Sequence, residues 1–145
     1  MSTVRFYLPD TNVFSIYAKG ENRGLSARVE KMRKRLILSS IALAEMEYGW
    51  QKSPVVTRRI ARQRQFVESM EPWKFDGACA RAYGLIKNIL WHRLRDARPS
   101  GERDMMIAAH ALACDAVLVT HNIREFECIP GLEVEDWEKS EDRGK

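Results

Sequence analysis

Three acids and one amide stand where a chain of alternating strands and helices would bring oxygen atoms together. Asp10 closes the apolar run that begins at Val4, in the stretch Phe6-Tyr7-Leu8-Pro9-Asp10-Thr11-Asn12. Leu8 precedes a proline, which biases it toward extended backbone. The Asp10 carboxylate is therefore expected just past the carboxyl end of a short buried strand. Open α/β sheets gather ligands and catalytic groups at that end. Capping the next helix is the simpler role for an Asp there, and Asp10 alone asks for no other. Two further acids placed in the same manner shift the balance.

Glu45 falls on a helix expected to begin near Ile41, on one face with Ile41, Ala42, Tyr48 and Gly49. A carboxylate on a largely apolar face is unfavourable unless it meets a cation or a metal. Glu47 lies on a different stripe, near Leu43, Ala44 and Trp50, and periodicity does not choose between the two. Asp104 opens the helical segment 102–112, where the helix dipole favours an anion. It also lines up with Ile107, Ala108 and Ala111, the face that packs inward. Asn122 follows Thr120 and His121 at the end of another apolar run.

Clustered carboxylates repel unless a cation joins them, and hard oxygen donors suit Mg²⁺ or Mn²⁺. Such a cluster holds one metal, or two roughly 4 Å apart, that activate water and stabilise charge at a phosphoryl centre. The chain has no phosphate-binding loop of the G-x-x-x-x-G-K-[ST] type, no G-x-G-x-x-G and no G-x-S-x-G. Its three histidines are scattered, which disfavours a histidine-paired mechanism, and His92 reads as a surface residue. The three cysteines are odd in number and widely spaced, so buried thiols are expected rather than disulfides. His110 and Cys114 could share a helix face, but no finger spacing surrounds them.

These side chains need a scaffold. Strands are expected at 4–9, 36–39, 73–75, 116–119 and 132–134, with helices at 13–18, 25–35, 41–52, 55–70, 77–95 and 102–112. Ser39 or Ser40 is expected to cap the helix bearing Glu45, and Ser100 the helix bearing Asp104. The alternation predicts an α/β fold: a mainly parallel sheet of four to five strands flanked by helices. A length of 145 residues suits one domain, and 45% hydrophobic with 30% charged residues suits a folded, soluble one. No apolar run approaches a membrane span, no signal peptide is visible, and a cytoplasmic protein is expected. Net charge is +4, but residues 133–145 hold six acids and three bases, against 14 acids and 21 bases in 1–132. A basic body of +7 beside an acidic tail of −3 points to a polyanionic partner such as nucleic acid. The densest basic patch is Arg58, Arg59, Arg62 and Arg64.

The chain resembles the PIN-domain nucleases, and within them the VapC toxins of bacterial toxin–antitoxin pairs. The likeness rests on Leu8-Pro9-Asp10-Thr11-Asn12, the stretch from Ser40 to Gly49, the stretch from Asp104 to Ala111, and Val119-Thr120-His121-Asn122. It continues through Arg124-Glu125-Phe126, Pro130-Gly131-Leu132 and Asp136-Trp137. Each motif is weak alone; their order and spacing together are specific. The resemblance implies a three-layer sandwich, with a PIN domain over 1–137 and a charged tail over 138–145. It selects Glu45 over Glu47 and makes Asp10, Glu45 and Asp104 catalytic metal ligands. Thr11 and Asn12 would support the first acid, and Thr120 would orient the position of Asn122. Many PIN domains carry Asp where this chain has Asn122, and Glu125 is a further acid that could compensate from the next turn. The implied activity is Mg²⁺- or Mn²⁺-dependent cleavage of transfer RNA or another structured RNA. A metal-activated water would attack in line and leave a 5′-phosphate. A VapB-type antitoxin and a homodimer are the implied partners, with Arg58, Arg59 and Arg62 meeting RNA or antitoxin. The missing fourth carboxylate leaves open a non-catalytic module that binds RNA or a partner.

Overall fold

Tyr7, Leu8 and Pro9 form β1 (Tyr7–Pro9), which pairs in parallel with β4 (Val117–Val119) in the centre of the sheet. The computed structural model describes residues 4–93 and 101–139, without the side chains of 91–93. Between β1 and β4 lie α1 (Thr11–Lys19), α2 (Arg23–Lys31), a 3₁₀ turn (Arg33–Arg35), β2 (Leu38–Ser39), α3 (Ser40–Lys52), α4 (Arg58–Glu68), β3 (Pro72–Trp73), α5 (Gly77–Arg93) and α6 (Glu102–Ala113). The short α7 (Ile123–Phe126) and β5 (Val134–Glu135) follow.

Among the described residues every strand pair is parallel, as expected where helices connect the strands. β1, β4 and β5 form one three-stranded sheet, and β2 and β3 a second, smaller one. A parallel bridge between Tyr7 and Leu36, with the Ile37 N–H donating to the Tyr7 carbonyl at 2.8 Å, sets β2 beside β1. The spatial order is thus β3-β2-β1-β4-β5. Leu8, Ile37, Leu38, Leu118 and Val119 are all buried, the continuous apolar character of strands covered on both faces. α6 reaches the interior through Ala108, Ala109 and Ala111, whose small side chains permit close approach. α5 packs chiefly on α6, and α1 on α4.

Several boundaries differ from those read along the chain. The helix expected over 25–35 stops at Lys31, and a tight 3₁₀ turn redirects the backbone into the buried residues Leu36 to Leu38. α4 starts at Arg58 because the Thr57 hydroxyl accepts the Ile60 N–H; Val55 and Val56 stay outside it, 62% and 64% exposed. β3 sits one residue earlier than expected and β5 later. Residues 123–126 wind into a helix that the sequence showed only as a turn. Gly101, at φ 102°, is the N-cap of α6 and offers no side-chain bond. The predicted cap Ser100, His92, the end of the helix expected to reach residue 95, and the tail from 140 onward lie outside what is described.

Ser39 rather than Ser40 caps α3. Its hydroxyl oxygen accepts the Ile41 N–H at 3.1 Å and lies 2.9 Å from His110 Nδ1. Ser39 and His110 are both fully buried, so one contact ties β2 and the start of α3 to the last turn of α6. Burial pushes the His110 imidazole below its usual pKa, favouring the neutral ring. Ser39→Ala removes the cap and leaves both ring nitrogens of His110 without partners, because Nε2 already has none. The expected cost is about 2 kcal/mol, read as a lower urea midpoint with unchanged m-value.

Candidate active site

Asp10 occupies two structural positions at once. Its backbone N–H donates to the Val119 carbonyl at 2.9 Å, which fixes it at the β1–β4 junction. Its Oδ1 accepts the Val13 N–H at 3.2 Å and caps α1. The side chain also hydrogen-bonds Thr120, the first residue after β4. Burial raises the Asp10 carboxyl above its ordinary range, against the pull of the Thr120 and Val13 hydrogen bonds. The capping role therefore coexists with an inward-facing carboxylate.

Asp104 shares a small, half-buried crevice with Asp10, walled by Ile107, Leu118, Thr120 and Phe126. Its pKa is pushed up to about 6, first by burial and then by the charges of Asp10, Glu45 and Glu125, with Arg103 opposing. The three acids chosen from the sequence therefore converge electrostatically, although they arise from the end of β1, from α3 and from α6. The Glu45 side chain is 21% exposed, whereas Glu47 is an exposed residue. The Thr11 hydroxyl donates to Glu45 Oε1, and Arg103 Nε donates to Glu45 Oε2 at 2.6 Å. Thr11 thus steadies the second acid, where the resemblance had it support the first.

The fourth acidic side chain near Asp104 is Glu125. It lies on α7, within electrostatic reach of Asp104, and its Oε1 is buried with no hydrogen-bond partner. Asn122 is exposed and makes no side-chain capping bond; its backbone N–H donates to Thr120 Oγ1 at 3.2 Å. Asn12 is likewise exposed. Arg103 was not singled out in the sequence. Its only signal there was adjacency to Asp104, and a 70% exposed arginine has no periodicity that marks it.

Among the described residues, no three acidic, imidazole or thiol groups already stand in chelating geometry. The donor set nevertheless suits a hard divalent cation. Four carboxylates gather, the pKa of one is raised to about 6 by burial and its neighbours, and one buried oxygen is unpaired among the described residues. The guanidinium of Arg103 supplies the positive charge that meets Glu45 here.

The basic patch on α4 divides. Arg59 lines a groove of about 470 Å³ together with Glu45 and Thr11. Arg62 lines a separate one of about 310 Å³ with Tyr17 and Arg33. The Arg64 guanidinium lies over the Trp50 ring, 5.3 Å from its centroid, within the reach of a cation–π contact. Arg58 is exposed.

Parallel strands in the order β3-β2-β1-β4-β5, in two sheets linked by the Tyr7–Leu36 bridge, set Asp10 at the carboxyl end of β1 with Asp104 beside it in one crevice. The family model for the PIN domain matches residues 7–131, and the chain belongs to that family. Within it the chain is a member of the VapC group. It is 36% identical to the tRNA(fMet)-specific endonuclease VapC of Salmonella typhimurium, over 90% of this chain and 97% of that one. It is 33% identical to Ribonuclease VapC2 of Rickettsia felis, over 92% of this chain and 98% of that one. Among solved structures, the DNA-bound VapBC complex of Salmonella typhimurium superposes with a TM-score of 0.78 at 35% identity, covering 92% and 99% of the two chains.

The raised Asp104 pKa has a consequence for stability. At pH 7 the residue is ionised in both the folded and unfolded states, and the fold disfavours that charge. Without added metal, Asp104→Asn is expected to stabilise the protein at pH 7 by about 1–2 kcal/mol, after allowing for partial solvent screening. The advantage shrinks as pH falls through about 6 and disappears below about 4, where the carboxyl is protonated in both states. Urea titrations of both proteins across this pH range measure the effect; a gain that grows toward the acid end would contradict it.

Proposed function

We propose that the protein is a VapC-type toxin: a Mg²⁺- or Mn²⁺-dependent endoribonuclease that cuts transfer RNA or another structured RNA and is neutralised by a VapB-type antitoxin. The observation that carries the reading is the group of four carboxylates, Asp10, Glu45, Asp104 and Glu125, at the carboxyl ends of β1 and β4. The relatives named as endonuclease and ribonuclease, and the VapBC complex, support the substrate class and the partner. A homodimer acting in the cytoplasm completes the proposal.

Asp10, Asp104 and Glu125 would hold the cation, with Glu45 joining when Arg103 lets go. The cation supplies an activated water and charge stabilisation at the phosphoryl group. The protein's own groups orient this chemistry. Thr120 and the Val13 N–H hold the Asp10 carboxylate, and Thr11 holds Glu45. Asn12 and Asn122, at the exposed margin, would meet solvent or substrate. Arg103, once released from Glu45, is placed to meet a phosphate oxygen. The pairing of Glu45 with Arg103 also favours a second reading, a non-catalytic PIN module that binds RNA or antitoxin.

Cleavage of initiator transfer RNA is expected with Mn²⁺ or Mg²⁺ and to cease in chelator. Asp10→Ala and Asp104→Asn should each lower the rate about 100-fold or more, since even groups that only support metal ligands cost roughly 10–100-fold. Cutting that survives chelator and both substitutions removes the mechanism; metal-insensitive binding without cutting establishes the second reading. Calorimetric Mn²⁺ titration in the absence of RNA supplies an independent check. Glu125→Gln should weaken binding about 10-fold, Asn122→Ala should change it less, and Arg103→Ala should tighten it by freeing Glu45.

A further inference from the structure

The larger groove beside the acidic cluster has features that the metal site does not require. It lies between α1, α3 and α4, and Glu45 forms part of its wall. Gly49 lines it from within α3. A Cβ added at Gly49 would meet nothing within 4 Å, so no packing constraint demands glycine there. A glycine within a helix costs up to roughly 1 kcal/mol relative to alanine, less toward the end, and Gly49 opens the last turn of α3. The fold bears that cost with open space as the only visible return.

The groove also carries a fixed polar strip. Trp50 Nε1 donates to Gln63 Oε1 at 2.7 Å, and Gln63 Nε2 donates to Ser15 Oγ at 3.3 Å. Gln63 is buried, and the Ser15 hydroxyl hydrogen has no protein acceptor among the described residues. Arg59 adds positive charge at the exposed edge. A volume of about 470 Å³ is in the range of small-ligand pockets. Aromatic surface, amide and hydroxyl groups, and flanking cations are the means by which proteins hold unstacked RNA bases.

We propose that this groove is a nucleotide subsite. It receives the base and ribose of the RNA residue adjoining the phosphate at the acidic cluster, while Arg59 meets the next phosphate. Gly49 keeps the entrance clear, and the Ser15–Gln63–Trp50 strip faces the base. The proposal rests on the ribonuclease reading but assigns a location that reading leaves open. It also divides the α4 arginines by task, placing Arg59 on RNA and leaving Arg62 to the other groove.

The test reads binding apart from cleavage. Fluorescein-labelled initiator transfer RNA is titrated with the full chain in chelator, and anisotropy is followed for the parent, Gly49→Leu, Gly49→Ala and Arg59→Ala. Gly49→Leu should weaken RNA binding about 10-fold while its melting temperature stays at or above the parent's. Gly49→Ala should weaken it less, and Arg59→Ala several-fold with a shallower salt dependence. In steady-state cleavage with Mn²⁺ the same variants should raise KM more than they lower kcat. Unchanged RNA affinity in Gly49→Leu and Arg59→Ala overturns the subsite, even if the parent cuts RNA. Loss of antitoxin binding alone in these variants overturns it equally. Weakened RNA binding in a parent that never cuts supports the subsite and sinks the nuclease reading instead.

Discussion

Burial of carboxylates in one small crevice, with the repulsion of neighbouring acids on Asp104 added to it, is the constraint around which this structure is arranged. Asp10 and Asp104 share walls of Ile107, Leu118 and Phe126, and both carboxyls are raised in pKa mainly by burial. Such an arrangement opposes folding, and the surrounding groups offset it. Thr120 and the Val13 N–H stabilise Asp10, Thr11 and Arg103 stabilise Glu45, and Glu125 Oε1 remains without any partner among the described residues. Unfavourable charge retained where the chain could have placed neutral residues is characteristic of sites under functional selection.

The sheet order brings the acids together. Because β1 and β4 are adjacent and parallel, their carboxyl ends open on the same side, placing Asp10 beside Thr120 and the start of α7. α6 must then dock closely enough for Asp104 to reach them, which its buried alanines permit. The Ser39–His110 contact links that helix to the start of α3, the helix that bears Glu45. A buried polar pair at this point couples the positions of two acids through one hydrogen bond, in surroundings that are mainly apolar.

Charge around this cluster is divided by direction. Arg103 answers Glu45 at the rim, while Arg59 and Arg62, three residues apart on α4, line different grooves because different segments pack beside them, α3 beside Arg59 and Tyr17 with Arg33 beside Arg62. A basic surface that looks continuous in the sequence is therefore several surfaces in the fold. The VapC relatives carry names that speak of RNA cleavage, and the solved relative from Salmonella typhimurium is a DNA-bound VapBC complex.

Much of this was legible in one dimension. Alternating apolar runs and helical periods identified the α/β class, and the Leu-Pro-Asp junction placed Asp10 at a strand end. The inward phase of Asp104 with Ile107 and Ala108 followed from a single helix, because 3.6-residue periodicity is a local property. What depended on tertiary structure involved faces of different elements. Periodicity left Glu45 and Glu47 open; the fold puts Glu45 against Thr11 and Arg103 and leaves Glu47 outside. The sequence offered Glu125 beside Asn122 as a further acid from the next turn, and the four residues of helix over 123–126 bring Glu125 within electrostatic reach of Asp104. The separation of Arg59 from Arg62, and the open space before Gly49, likewise arise only when α1, α3 and α4 pack. Local sequence sets which way a side chain leaves its own helix or strand; what it then meets is set by chain segments tens of residues away.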